Sequence, residues 1–169
     1  MTNKDQFDPS RHGIVAELPD GRVTVSFERT LKHPIEKIWQ AISDPDSLAD
    51  WFPEIRVDHA NGTFQIWFGG DCDGPPHVEG ALRAEPPHLL IMGSMKYELT
   101  EINDGTLLKF TDILVFTGNR SRQEIALAVL GGWHAFMDRL CLALDEKYDG
   151  KQIPEPDYSR IEVPGWNIL

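Results

Sequence analysis

The chain of 169 residues is 41% hydrophobic and 25% charged, which is the composition of a soluble globular protein with one domain. Its formal net charge of −11 excludes nucleic acid and anionic membrane surfaces as main partners, because both are negatively charged. Cys72 and Cys141 lie outside any CxxC pattern, and the N-terminus carries no apolar signal segment, so we expect a reduced, cytoplasmic chain.

The first predicted strand follows a polar N-terminal segment. Residues 1–21 contain several Pro and Gly residues and predict a flexible arm, although Ile14 to Ala16 could add an edge strand. Val23, Val25 and Phe27 then alternate with polar residues, which is the period of a half-buried strand.

Two short helices are predicted next. Pro34 suits the start of the first, and apolar residues recur at helical spacing between positions 35 and 42. Asp44-Pro45 supplies the N-cap and first position of the second helix, which is expected to end at residues 51–53.

Residues 54–117 show the pattern of strands joined by short turns. Asn61-Gly62 and Asn103 to Gly105 are typical hairpin turns, and Pro86-Pro87 reverses the chain. Short connections of this kind imply an antiparallel meander. The predicted strands are 55–59, 64–68, 78–84, 89–92, 95–102 and 106–117.

The longest apolar-periodic segment, residues 120–148, predicts a helix. Ser121 to Glu124 forms a capping-box pattern, and Gly150 suits a C-cap. Such a helix is roughly 40 Å long, is too polar at both ends to span a membrane, and needs a large apolar partner. Its expected stripe comprises Ile125, Val129, Trp133, Phe136, Met137, Leu140 and Leu144.

These elements together predict an α+β fold. A curved antiparallel sheet of about six or seven strands would wrap around the long C-terminal helix, and its concave side would leave a cavity. We expect an arm at residues 1–21, one domain at 22–150, and a tail at 151–169. The tail is apolar enough to pack on the body or on a neighbouring subunit.

Several segments resemble the START-like (SRPBCC) superfamily, specifically its AHSA1-like branch (activator of Hsp90 ATPase homologue 1-like). VEGALRAEPPHLLIMG resembles that family's Gly-x6-Pro-x2-Leu strand pair, and GGWHAFMDRLCLAL resembles its Gly-Trp-x6-Leu helix core. The stretch VSFERTLKHPIEKIWQAISDPDSLADWF matches the family's opening at Arg29, Pro34, Ile38-Trp39, Asp44-Pro45 and Trp51-Phe52.

This resemblance, over about residues 22–148, implies a helix-grip fold with a deep apolar pocket. Family members bind lipids, hormones or polyketides, act as cyclases or aromatases, or activate a chaperone. Fold does not decide among these functions.

A ligand cavity between sheet and helix would be lined by mostly aromatic and apolar side chains. The same side chains would equally suit an ordinary core. They are Trp39, Trp51, Phe52, Trp67, Met92, Tyr97, Phe110, Asp112, Trp133, Phe136, Met137 and Leu140.

Asp112 is the most informative polar residue. Strand alternation puts it on the face of Phe110 and Leu114, which aims its carboxylate at the cavity unless a bulge turns it to solvent or the opposite face of the strand is the buried one. Paired with an arginine or histidine it could orient a ligand's polar group. Unpaired it could act as a general acid or base, with His77 or Tyr97 as a second catalytic candidate.

No cofactor or metal site is predicted. His59, His77, His88 and His134 lack zinc-ligand spacing and are expected at the surface or at the edge of an element. The Asp71 to Gly74 loop lacks the oxygen ligands of a calcium site. The chain has no Gly-x-Ser-x-Gly, P-loop or GxGxxG pattern.

Three functions remain open. The favoured one is non-catalytic binding of a small hydrophobic ligand in the cavity. The second is a polyketide cyclase or aromatase-type enzyme that uses Asp112. The third is a protein-interaction module, either co-chaperone-like or a toxin–antitoxin-style accessory, for which the acidic surface and apolar tail are the motive. Its expected partner is a second copy of the chain or a chaperone-type protein.

Overall fold

The computed structural model describes residues 11–69 and 72–166, so predictions on residues 1–10, 70–71 and 167–169 lie outside the described residues. The strands are β1 Ile14–Glu17, β2 Val23–Leu31, β3 Ile55–Asp58, β4 Thr63–Ile66, β5 Val78–Glu85, β6 Leu89–Met92, β7 Met95–Ile102 and β8 Gly105–Ile113. The α-helices are α1 Ile35–Ser43, α2 Pro45–Trp51 and α3 Arg122–Leu144.

All neighbouring strands pair antiparallel, in the order β1-β2-β8-β7-β6-β5-β4-β3. The predicted meander is therefore confirmed from β3 to β8, and β2 joins it beside β8. Gly62 has φ 64 at the β3–β4 turn, the left-handed conformation for which Asn-Gly turns are selected. The sheet curves around α3, which confirms the helix-grip fold.

The two short helices form where the sequence predicts them. Asp44 caps α2, because its Oδ2 accepts a hydrogen bond from Ser47 N at 2.9 Å. Trp51 Nε1 donates to the carbonyl oxygen of Ala41 at 2.8 Å, which ties α2 to α1.

Helix α3 begins as predicted and ends earlier. The capping box of Ser121 and Glu124 is present. The predicted end near residue 148 with Gly150 as cap is wrong: Glu146 takes φ 57, and Lys147 N donates to the Leu142 carbonyl at 2.7 Å. This 6→1 hydrogen bond closes the helix one turn earlier than the apolar pattern suggests.

The buried face of α3 also differs from the predicted stripe. Ile125 and Val129 are only half-buried, whereas Ala126, Leu130 and His134 are buried. The reason is that α3 is covered on two sides, by the sheet and by the C-terminal tail. By length and composition alone α3 could cross a membrane, but half of that stretch is buried in the fold, so it is the core helix.

The terminal segments lie together on the body. Residues 14–17 form β1 within the range predicted as an arm, and Val15 N donates to the Pro164 carbonyl at 3.1 Å. In the tail, Tyr158 and Val163 are buried. Strand β8 stops at Ile113, which pairs with Thr24 of β2, before its predicted end at residue 117, so Phe116 lies outside the sheet.

Candidate functional site

Aromatic side chains fill the space between the concave face of the sheet and the middle of α3. The ring centroid of Trp133 lies 4.6 Å from that of Phe110 and 5.5 Å from that of Phe136. Phe52 lies 4.3 Å from Phe136, and Tyr97 lies 4.9 Å from Phe110. We call these five residues the aromatic cluster.

Three parts of the fold bring the aromatic cluster together. Tyr97 and Phe110 are register partners on β7 and β8, so their side chains leave the same face of the sheet. Trp133 and Phe136 are three residues apart on α3 and share one side of the helix. Phe52, at the C-cap of α2, closes the cluster from the side of the short helices.

Asp112 lies at one edge of the aromatic cluster, and its carboxylate faces α3, as strand alternation predicts. Trp133 Nε1 donates to Asp112 Oδ2 at 2.9 Å, and Ser94 Oγ donates to Oδ1 at 2.7 Å. Burial raises the pKa of Asp112, while these two donors oppose the rise. Burial, together with the Asp112 charge, also raises the pKa of Tyr97.

This geometry makes Asp112 a hydrogen-bond acceptor at the border between an apolar surface and solvent. Its partners are an indole and a hydroxyl rather than an arginine or a histidine. Ser94 is exposed at the β6–β7 turn, so a ligand group that donates a hydrogen bond can reach the carboxylate in place of the serine hydroxyl.

The β4–β5 connection borders the aromatic cluster at Phe136. The Phe68 ring is 6.4 Å from that of Phe136 and is 41% exposed. Phe68 N donates to His77 Nδ1 at 3.1 Å, and Trp67 Nε1 donates to the Gly74 carbonyl at 2.7 Å, which fixes the connection. His77 is exposed and bonds to Phe68 rather than to Asp112, so the two catalytic candidates are not paired.

The remaining predicted site residues take other places. Trp51 links α1 and α2, and its ring lies 5.5 Å from that of Phe52. Trp39 is half-buried beside a surface cleft bordered by Ala84 and Pro86. Trp67 stacks under Arg56 at 4.7 Å. Met92, Met137 and Leu140 are buried in the core.

A second polar group lies on α3, and sequence reasoning missed it. His134, predicted at the surface or a helix edge, is buried, and its Nδ1 lies 2.7 Å from the Tyr158 hydroxyl. Its Nε2 lies 3.6 Å from Asp138 Oδ2. Burial and the neighbouring Arg29 lower the pKa of His134 to about 4, so the neutral ring accepts from Tyr158 and points its Nε2–H at Asp138.

Arg29 belongs to the same group, and the sequence does contain a signal for it. It follows Val23, Val25 and Phe27 at period two on β2, which places it on the buried face. Its side chain is 7% exposed. No comparable sequence pattern indicates that the C-terminal tail covers His134, because a contact between segments distant in sequence produces no periodic pattern.

No group of three or more His, Cys, Asp or Glu side chains suited to a metal ion occurs within residues 11–69 and 72–166. The two cysteines are free thiols.

The eight-stranded antiparallel sheet closed over α3, with polar groups on its concave face, defines a helix-grip protein of the START-like type. The chain belongs to the family of the activator of Hsp90 ATPase homolog 1-like proteins, whose model matches residues 32–145. A comparison with curated proteins gives no match.

Solved structures show the same fold. The solution structure of CalU16 from Micromonospora echinospora is 22% identical, has a TM-score of 0.58, and matches 96% of this chain and 86% of that one. Protein MLL2253 from Mesorhizobium loti is 26% identical, with a TM-score of 0.55 over 73% of this chain and 97% of that one. The Aha1 dimer from Colwellia psychrerythraea is 19% identical, with a TM-score of 0.54 over 73% and 97% of the two chains.

Proposed function

We propose that the protein binds a small hydrophobic ligand, aromatic or lipid-like, against the aromatic cluster, with Asp112 orienting the ligand's polar group. The observation that carries the proposal is the Asp112 carboxylate, held by Trp133 and Ser94 at the edge of the aromatic cluster. A carboxylate placed there favours a ligand that has an apolar body and one hydrogen-bond donor.

The rings of the cluster are in contact, so the ligand enters at its exposed border. Phe136 is half-buried, and Phe68 beside it is 41% exposed. An aromatic ligand that inserts between these two rings would stack on them. The core would lose little packing, because both rings are partly exposed. Its donor group would then point along Trp133 towards Asp112.

The test compares 2-naphthol with naphthalene, two probes of nearly equal shape that differ by one hydroxyl. At a free concentration of 100 times Kd, a bound ligand stabilises the folded chain by about 2.7 kcal/mol, which raises Tm by about 5 to 10 °C. We expect 2-naphthol to give this shift at lower concentration than naphthalene. If neither probe raises Tm, the proposal is wrong.

Asp112→Asn is the matched variant. It keeps the size of the side chain and removes its charge, so we expect the affinity for 2-naphthol to fall about tenfold and that for naphthalene to stay unchanged. Asp46→Asn, at an exposed position on α2, is the control and should leave both affinities unchanged.

The alternative is an enzyme of the polyketide cyclase or aromatase type. The raised pKa of Asp112 favours it, because a carboxyl group that exchanges a proton nearer neutral pH suits general acid or base catalysis. Incubation with a synthetic poly-β-ketone chain should then produce a cyclised product that has lost water, detectable by mass spectrometry. Asp112→Asn should abolish this conversion, and an unchanged rate would exclude the acid–base role.

A protein-interaction role is supported by the Aha1 structure from Colwellia psychrerythraea, which is that of a dimer. We propose a homodimer in the cytoplasm as the first assembly to test. Light scattering after size-exclusion chromatography should give twice the chain mass, and a monomer at every concentration would remove this candidate. A chaperone-type partner would be sought separately, by binding to a purified Hsp90.

A further inference from the structure

A second cleft lies at the other half of α3, away from the aromatic cluster. Strand β1 pairs only with residues 23–26 of β2, so among the described strands the rest of β2 has a neighbour on one side only. The cleft opens between this free half of β2 and the C-terminal half of α3. Its volume is about 850 Å³, and its lining includes Arg11, Arg29, Leu31, Asp138, Cys141 and Leu142.

Two arginines in this cleft share one carboxylate. Arg11 Nη2 is bonded to Asp138 Oδ1, and Arg29 Nη2 lies 3.9 Å from the same oxygen. The third neighbour of Asp138 is His134, which is uncharged at neutral pH because its pKa is lowered to about 4. The group of Arg11, Arg29 and Asp138 therefore carries a net positive charge.

The guanidinium of Arg29 also has unused hydrogen-bonding capacity. Arg29 is 7% exposed, and its Nη1 donates to the Glu28 carbonyl at 2.9 Å. Its Nε and Nη2 make no hydrogen bond to any described residue. Buried polar groups are nearly always hydrogen-bonded, and Nε with Nη2 is one of the two forks that bind a carboxylate through two parallel bonds.

Access to this fork is through Arg11. Nε and Nη2 of Arg29 are covered from solvent, whereas the Arg11 side chain is 42% exposed and holds the Asp138 oxygen that faces Arg29. A modest outward turn of the long Arg11 side chain would let an anion sit between the two guanidinium groups.

One part of the cleft is suited to an apolar body, while Glu28, Lys32, His33 and Asp145 make another part of the lining polar. Leu31, Leu142 and Ile153 line it together with the Cys141 thiol, which burial keeps protonated by raising its pKa. Leu142 is 36% exposed, so it forms part of the mouth.

We propose that this cleft is a second binding site, which takes an organic acid with an apolar chain or ring and holds its carboxylate between Arg11 and Arg29. The site goes beyond the proposed function and does not depend on it. The two sites lie at different positions along the paired strands β2 and β8. Arg29 pairs with Leu108, whereas Asp112 pairs with Val25.

The test uses the full chain labelled with ¹⁵N and the probes octanoate and 1-octanol. The Nε–Hε signal of Arg29, identified by its loss in Arg29→Lys, should shift as octanoate is added. We expect octanoate to bind at least about tenfold more tightly than 1-octanol. The reason is that its carboxylate can accept charge-assisted hydrogen bonds from Arg29 Nε and Nη2, which otherwise form none with the described residues. Equal affinities, or an Arg29 signal that octanoate leaves in place, would overturn the proposal.

A variant at the mouth tests the site without touching the buried arginine. Leu142→Glu adds a negative charge beside the cleft at an exposed position and should weaken octanoate binding about tenfold. Val78→Glu is the matched control, because Val78 is 38% exposed on β5, four strands along the sheet from β2. Equal weakening by both variants would show a general charge effect and contradict the assigned site.

Discussion

Removing one hydroxyl tests how firmly the tail is attached to the body. The Tyr158 hydroxyl accepts a hydrogen bond from Gly13 N at 2.8 Å and donates to His134 Nδ1 at 2.7 Å. Both partners are buried, so Tyr158→Phe leaves one backbone donor and one ring acceptor without a partner.

The expected cost follows from these two groups. Each buried polar group left unsatisfied costs about 1 to 3 kcal/mol, so Tyr158→Phe should lower the free energy of unfolding by about 2 to 6 kcal/mol. For a domain of this size that is a fall in Tm of about 4 to 24 °C. Urea unfolding, followed by tryptophan fluorescence, measures the free energy directly.

Tyr148→Phe is the control, since Tyr148 is half-buried and forms no hydrogen bond among the described residues. It should change the free energy of unfolding by less than about 0.5 kcal/mol. If Tyr158→Phe falls in the same small range, the hydroxyl does not hold the N-terminal segment, α3 and the tail together as described.

Three further results are expected. The pKa of His134 is about 4 in the folded chain and 6.5 unfolded, so the unfolded chain binds the extra proton between these values. The contribution of His134 to stability should fall by up to about 3 kcal/mol from pH 6.5 to 4, so the urea-unfolding free energies of the wild type and of His134→Gln should differ in their pH slope by that amount. Ser121→Ala removes the capping box and should cost about 1 kcal/mol. Gly13→Ala should strongly lower Tm in a thermal melt, because its Cβ would lie 2.5 Å from Leu130 Cδ2.

Local patterns were sufficient to predict most of the fold. Alternation on β2 and β8, the Asn-Gly turn and the capping box each depend on residues close in sequence, and each appears in the structure. The orientation of Asp112 was also predictable, because the period of a strand fixes which face a side chain leaves. Its partners Trp133 and Ser94 were not, because they come from other elements.

The error on the buried face of α3 has one physical cause. A stripe of apolar residues locates the face that packs on the sheet, but it says nothing of a second partner. Here the tail covers the opposite side, so that an added Cβ at Gly131 would lie 3.2 Å from the Pro156 carbonyl oxygen. His134 lies between the two partners: its ring packs edge-on against Phe27 of β2 at 5.9 Å, and its Nδ1 meets the Tyr158 hydroxyl of the tail.

The two-sided burial of α3 bears on function as well as on fold. One side carries Trp133 towards Asp112, and the other carries Asp138 towards Arg29 and Arg11. A buried charge persists only where a partner compensates it, and each of these groups is held by neighbours from a different element. An apolar ligand with a donor group matches the first site, and an organic acid matches the second. Binding at one site therefore need not compete with binding at the other, and saturating 2-naphthol should leave the affinity for octanoate unchanged.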